Sequence, residues 1–224
     1  MPAHKLPFKE FEWTPKMAYA VGLIATDGSL SKNGRCIAMR SSDLQQLETY
    51  RSCLYIKNKI SETKNNGWAK KPSYVVQLGN IQLYNWFLTI GLFPAKTYTI
   101  SALKIPNEYF RDFLRGHLDG DGCISTYQDK WNTFKNSKYV YTRLWTRFIS
   151  ASENHINWLR ENIIQLADCR GHVWEAKPKR ENRTASMWVL KFGKKESIKL
   201  LNWIYYAPDI PCLSRKREIA EKFI

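Results

Sequence analysis

Two short stretches of this chain carry the same residue types in the same order. Val21-Gly22-Leu23-Ile24-Ala25-Thr26-Asp27-Gly28 returns as Arg115-Gly116-His117-Leu118-Asp119-Gly120-Asp121-Gly122, and the final acids are 121 − 27 = 94 positions apart. Each copy sets a carboxylate at the end of a helix-forming run and just before a glycine. That is a poor place for an acid, because a helix C-terminus already carries partial negative charge. Two such ends brought together make the carboxylates repel and raise a pKa, unless a cation is bound. Hard oxygen ligands favour Mg²⁺, with waters and phosphate oxygens completing the shell. Divalent ions held this way generate a nucleophile from water and stabilise a leaving oxygen, the two requirements of phosphodiester hydrolysis. A single Asp-Gly pair reads as a helix cap; two copies in one chain read as a paired site.

The elements that must position these acids follow from local pattern. Thr14-Pro15 is an N-cap followed by proline at the first helical position, so a helix runs from Pro15 to about Asp27, with Gly28 as its C′ residue. Ser29 to Lys32 and Arg35 to Arg40 pair as a hairpin through Asn33-Gly34. Asp43 to about Ile56 repeats its apolar positions at helical spacing, after Ser42-Asp43 as a cap. Lys59 to Thr63 and Tyr74 to Leu78 form a second hairpin with a basic tip, and Ile81 to Ile90 a third helix. The second part repeats the order: a helix from Pro106, a long hairpin to Ser150, a helix over Glu153 to Ala167, strands Gly171 to Lys177 and Met187 to Phe192, and a helix over Ser197 to Tyr206. Matching Asp43 to Glu153 and Asn85-Trp86 to Asn202-Trp203 gives offsets of 110 and 117, so insertions fall in the second part's hairpin tips.

This order predicts an α+β fold of two pseudo-symmetric αββαββα halves, each with a four-stranded antiparallel, saddle-like sheet. The expected boundaries are an N-terminal extension over 1–14, a first half over 15–93, a linker over 94–107 and a second half over 108–224. Gly22 and Thr26 are four apart, as are Gly116 and Gly120, so each motif helix presents a strip of small residues. Such strips let two backbones approach closely, and the halves are expected to pack through these helices.

Bulk composition narrows the partner. Lys and Arg number 35 against 20 Asp and Glu, a formal charge of +15, which calls for a polyanion. The five cysteines are scattered without a CxxC pair, which fits an intracellular, reducing compartment such as a bacterial cytoplasm or an organelle. The N-terminus has no apolar run of signal-peptide type, and no window is long and apolar enough for a membrane span, so a soluble, non-secreted protein is expected. His4, His117, His155 and His172 are isolated in the sequence and none has an evident catalytic partner.

At Gly22 to Gly28 and Leu114 to Gly122 the chain resembles the two motifs of the single-chain LAGLIDADG homing endonucleases, and the resemblance extends from about Pro15 to Phe223. It implies that Asp27 and Asp121 bind the catalytic ions, Mg²⁺ in the reaction with Mn²⁺ or Ca²⁺ able to substitute in binding, and that the backbone carbonyls of Thr26 and Gly120 are further ligands. Ala25 departs from the family pattern at its first acid, where Asp119 keeps it. The resemblance also implies a basic residue near the end of each half, matched by Lys96 and Lys216, with Arg215 as an alternative to Lys216 and a solvated surface lysine as the alternative to both. It further implies a monomer acting on double-stranded DNA over about two helical turns.

Strand alternation places Arg40, Gln77, Tyr139, Tyr141, Arg143, Trp145, Arg147 and Lys191 on faces turned to solvent, suited to bases or phosphates. Lys32 and Arg35 flank the first hairpin turn; Lys70 and Lys71, with Lys177, Lys179, Arg180 and Arg183, read as phosphate contacts from loop tips. The reading is a site-specific, metal-dependent double-strand endonuclease of the intron-homing type. Its rivals on the same scaffold are an RNA-binding maturase and a DNA-binding regulator without nuclease activity.

Overall fold

The computed structural model describes residues 10–63, 72–177 and 186–224. The first half runs α1 (Pro15–Thr26), β1 (Gly28–Leu30), β2 (Cys36–Ser41), α2 (Leu44–Cys53), β3 (Ile60–Thr63), β4 (Ser73–Gly79) and α3 (Ile81–Thr89). The second half repeats this as α4 (Phe110–Asp121), β5 (Cys123–Asp129), β6 (Tyr141–Ser150), α5 (Glu153–Ala167), β7 (His172–Ala176), β8 (Met187–Phe192) and α6 (Lys194–Ile204). An additional helix, α7 (Ser214–Ala220), follows it. Each half folds its strands into one antiparallel sheet, in the orders β1-β2-β4-β3 and β5-β6-β8-β7. The expected α+β class and doubled αββαββα order are the observed ones, and α7 is an addition to them.

The two motif helices lie at the centre. In α1 every residue from Ala18 to Ala25 is buried, as expected for a helix surrounded by protein on all sides. The helix starts where Thr14 Oγ1 accepts the Met17 N–H at 3.1 Å, with Pro15 in its first turn. Its approach to α4 is set by glycine. A Cβ on Gly22 would lie 2.2 Å from the Phe113 carbonyl oxygen, and one on Gly116 2.1 Å from that of Tyr19. No side chain fits there, so the backbones themselves form the interface and the ends of the two helices are brought side by side.

Gly28 does not close α1 as a left-handed C′ residue. Asp27 is the C-cap at φ −90°, and Gly28 enters β1 directly, paired with Met39. What excludes a side chain is contact, since a Cβ would sit 2.6 Å from the Ile24 Cα. The β1–β2 connection spans residues 31–35, closed by Ser31 N–H donating to the Cys36 carbonyl at 2.9 Å, and is longer than a two-residue turn.

Sheet register corrects the internal alignment. Ser41 Oγ accepts the Asp43 N–H at 3.0 Å, and Ser150 Oγ accepts the Ser152 N–H at 3.1 Å, so Asp43 corresponds to Ser152, an offset of 152 − 43 = 109. On the next strand Ala38 pairs with Gln77 and Arg147 with Lys191, an offset of 191 − 77 = 114. The Asn-Trp match at 117 is therefore one helical turn out of step, a coincidence of sequence. α6 likewise begins at Lys194 rather than Ser197. Ser197 is buried inside it, donating to the Phe192 carbonyl and accepting the Thr146 N–H at 2.9 Å.

Residues 94–107 are packed rather than loose. They contain a 3-10 turn over Lys96–Tyr98, and Lys96, Ile100 and Leu103 are buried. The cores meet beneath the sheets, where Ile37, Met39 and Val76 in the first and Leu144, Phe148, Leu190 and Phe192 in the second point inward. None of the helices among the described residues is long and apolar enough to cross a membrane.

Candidate active site

The C-terminal ends of α1 and α4 bring Asp27 and Asp121 into mutual electrostatic range. The Asp27 carboxyl is pushed up to about 6, first by loss of solvent and then by the Asp121 carboxylate; Gln46, Lys216 and Lys96 act in the opposite direction. Asp121 sits at the exposed rim, and its carboxyl is also raised, by the protein bulk around it, against Lys216 and Lys96. Gly120 lies between the two helix ends, where a Cβ would meet Thr26 Oγ1 at 1.9 Å. Thr26 Oγ1 itself donates back to the Leu23 carbonyl at 3.0 Å, leaving the cleft to the acids.

Both candidate lysines are buried and stand at these ends. Lys96 Nζ donates to the Gly28 carbonyl. Lys216 Nζ donates to the Asp119 and Gly122 carbonyls at 2.9 and 2.8 Å, also contacts the Leu118 carbonyl, and lies 3.5 Å from that of Gly120. The last carbonyls of a helix have no partner within it, and an ammonium there is favoured by the helix dipole as well. Burial lowers each lysine to about 8, against the pull of Asp121 and Asp27 on Lys96 and of Asp119 on Lys216. The surface-lysine alternative is excluded: Lys96 is 6% and Lys216 4% exposed. Arg215, the alternative to Lys216, instead pairs with Asp43 at 3.0 Å. That pair draws the Asp43 carboxylate away from capping α2, where it makes no cap hydrogen bond.

Gln46 belongs to this site and no sequence pattern singled it out. It is buried in α2; its Nε2 donates to Asp27 Oδ2 at 2.9 Å and lies 3.4 Å from the Asp119 carbonyl, while Ser41 Oγ donates to its Oε1 at 2.6 Å. The 109 offset puts His155 in the corresponding place of the second half (155 − 46 = 109). There the histidines are not isolated. His155 Nδ1 lies 2.8 Å from the Ser101 carbonyl, which only accepts, so that nitrogen carries the proton. Its Nε2 therefore accepts from His117 Nε2–H at 3.1 Å. Burial, the largest cause for each, holds His155 down to about 4 and His117 well below the ordinary range. The pair is neutral, and the second half puts it where the first half has the Gln46 amide.

As a cation site the arrangement offers two carboxylates and the adjoining backbone carbonyls, an all-oxygen set suited to a hard divalent ion. Among the described residues no group of three or more His, Cys, Asp or Glu side chains converges, so the remaining ligands would be backbone, water or substrate. The raised Asp27 carboxyl fits this use, because a cation offsets both the lost solvation and the Asp121 repulsion that raise it.

The expected nucleic-acid residues are placed as follows. Arg40 and Gln77 are exposed on the outer face of the first sheet, and Lys32 and Arg35 on its first loop. Tyr141, Arg143, Trp145 and Arg147 share the outer face of β6, with Lys191 paired beside Arg147. Lys191 Nζ lies 3.5 Å from the centre of the Trp145 ring. Tyr139 lies in the loop before β6 rather than on the strand, and Lys177 is exposed just past β7. Lys70, Lys71, Lys179, Arg180 and Arg183 lie outside the described residues.

No family model and no curated protein matches the chain. Solved structures do. The meganuclease I-SmaMI bound to an uncleaveable DNA superposes with a TM-score of 0.60 at 12% identity, over 94% of this chain and 90% of that one. This is the two-motif LAGLIDADG fold. I-DmoI in complex with DNA and Mn aligns with a TM-score of 0.52 at 16% identity, over 87% of this chain and 98% of that one. Full-length DUF199/WhiA from Thermatoga maritima aligns with a TM-score of 0.55 at 14% identity; it covers 97% of this chain, which spans only 61% of its length. At 12–16% identity these likenesses are ones of fold.

Proposed function

We propose that this chain is a divalent-metal-dependent, site-specific double-strand DNA endonuclease that hydrolyses one phosphodiester per strand. The observation that carries the reading is the nearness of Asp27 to Asp121, whose carboxylate, together with burial, keeps Asp27 raised even against Gln46, Lys216 and Lys96. A pure binding protein gains nothing from two half-desolvated acids facing each other.

In this reading Asp27 and Asp121 hold Mg²⁺, with Mn²⁺ or Ca²⁺ able to replace it in binding, and the Thr26 and Gly120 carbonyls are available as further donors. A divalent ion held there would supply Lewis-acid activation of a water and charge stabilisation at the leaving oxygen. Gln46 orients the Asp27 carboxylate through its 2.9 Å hydrogen bond. Lys96 and Lys216 remain largely protonated at neutral pH, and each places a cation where negative charge grows on the phosphate. DNA lies across the outer faces of the two sheets over about two turns, with Arg40, Gln77, Arg143, Arg147 and Lys191 toward bases or phosphates. The +15 charge of the chain supplies the general attraction to a polyanion. The pseudo-twofold arrangement lets one polypeptide act as a monomer, one helix end serving each strand.

The test is incubation with a randomised plasmid library in Mg²⁺, followed by sequencing of the cut ends. Recurrent double-strand ends at one long site are expected, and Asp27→Asn or Asp121→Asn should abolish them while DNA binding persists. Cutting retained by both variants sinks the assignment of the acids. DNA binding with no cutting in Mg²⁺ or Mn²⁺ supports a regulator instead, and tight binding to a structured intron RNA supports a maturase.

A further inference from the structure

The first hairpin of the second half is not a copy of its counterpart. β1 has three residues and a short connection over 31–35, whereas β5 has seven residues and reaches β6 through residues 130–140. At about 3.4 Å per residue, β5 carries this tip roughly 20 Å from the helix end that bears Asp121. The tip is built. Asp129 Oδ1 accepts the Trp131 N–H at 3.0 Å, its Oδ2 accepts Nε and Nη2 of Arg143 at 2.9 and 2.7 Å, and the Asn136 carbonyl accepts the Tyr139 N–H at 2.9 Å. Yet this framework leaves Trp131 81% and Phe134 75% exposed, with Tyr139 and Tyr141 exposed beside them. Large aromatic rings grouped at the surface mark an interaction site.

The charges around the rings choose the occupant. Lys130, Lys135 and Lys138 interleave with them in sequence, and Lys135 Nζ stands 5.5 Å from the Phe134 ring. The patch continues into the outer sheet face, where Arg143 lies 5.9 Å from the Tyr141 ring. Flat rings beside cations match a nucleobase beside its phosphate, whereas a second copy of this +15 chain would meet like charge.

We propose that the β5–β6 tip is an aromatic clamp, in which Trp131 and Phe134 wedge against a partly unstacked base step of the DNA flank beyond the second sheet while Lys135 and Lys138 meet the phosphates. The corresponding β1–β2 connection, Ser31 to Arg35, carries no aromatic residue, so the clamp gives the bound duplex a direction. It rests on the DNA-binding reading above.

The test is fluorescence anisotropy with a long fluorescein-labelled DNA duplex of random sequence, titrated at several salt concentrations. Wild type, Trp131→Ala/Phe134→Ala and Trp131→Phe are compared, together with thermal melts and sedimentation. Because both rings are exposed, the melts should coincide. The alanine double variant should bind roughly 5- to 30-fold more weakly with an unchanged salt slope, and Trp131→Phe should bind as wild type does. Equal affinity of the double variant and wild type overturns the clamp while leaving the nuclease reading intact. A wild type that self-associates, with a monomeric double variant, assigns the patch to a second copy and also overturns it. Failure of the wild type to bind the duplex at all removes the DNA-binding reading itself, and the clamp with it.

Discussion

The buried carboxylate of Asp119 accepts the backbone N–H of Leu213 at 2.8 Å, and the same Oδ2 accepts the Tyr19 hydroxyl at 2.8 Å. One atom thereby ties α4 to α1 and to the start of α7. Leu213 is the N-cap residue of α7, and Lys216, one turn on, lays its ammonium along the carbonyls that end α4. Asp119 is the acid that α1 replaces by Ala25, so this tie exists only in the second half.

Removing it should loosen Lys216 as well as the core. Asp119→Ala leaves the Tyr19 hydroxyl and the Leu213 amide without their acceptor in a buried setting, offset in part by relief of a carboxyl that burial raises to about 6. A loss of about 1–3 kcal/mol in urea unfolding is expected. Cutting should fall while duplex affinity holds, since the outer face of neither sheet is touched. An unchanged cleavage rate would show that Lys216 does not depend on this anchor.

The helix interface offers a sharper contrast. Gly22→Ala and Gly116→Ala drive a methyl group into backbone carbonyls that cannot swing aside. Each should cost about 3 kcal/mol or more, or prevent folding. Gly79→Ala, where an added Cβ meets nothing within 4 Å, should stay within about 0.5 kcal/mol of wild type. Thermal unfolding of the three variants reads the difference directly.

Metal binding should be proton-linked, and the sign follows from Asp27. Its carboxyl is raised from 3.8 to about 6, so without a cation the folded state holds this proton more tightly than the unfolded chain does. The unprotonated folded site is therefore destabilising as pH rises through about 6, and a cation that requires the carboxylate competes with the proton below that pH. Calorimetric Ca²⁺ affinity should fall about tenfold per pH unit below 6 and level off above it. In EDTA, Asp27→Asn should raise the melting temperature at pH 8, where the wild-type acids repel, and remove the further rise that Ca²⁺ gives. Ca²⁺ affinity that is flat from pH 5 to 8 argues against Asp27 as a ligand.

Gln46 lowers the Asp27 pKa by donating to it. Gln46→Leu keeps much of the buried volume and deletes the donor. The Asp27 carboxyl should then titrate above 6, and the acid limb of the cleavage pH profile should move to higher pH with it. A profile that drops in height without moving would mean that Gln46 serves packing alone.

Much of this molecule was legible in local pattern. The small residues at four-residue spacing, the Thr14-Pro15 start and the alternation along β6 are consequences of helix and strand periodicity, which neighbouring residues express by themselves. The doubled order of elements, and with it the fold class, follows from those periods. The surroundings of the acids were not legible. Gln46 looks like any polar residue of a surface helix until α2 is turned inward, and His117 and His155 meet only because α5 packs across α4. The alignment by residue type slipped by one position at Asp43 and by a turn at Asn85, because hydrogen-bonded register rather than side-chain likeness decides which residues correspond.

The sequence by itself determined that two acids end two helices which can approach to backbone contact, since glycine spacing is a steric property of the chain. Only the tertiary structure decided what surrounds those acids: a glutamine hydrogen-bonded to Asp27, and a buried lysine under each helix end, while the histidine that corresponds to that glutamine pairs with another histidine instead. Those contacts join residues far apart in the chain. They exist because unsatisfied helix-end carbonyls and half-desolvated carboxylates take the nearest donors that the packed fold brings to them.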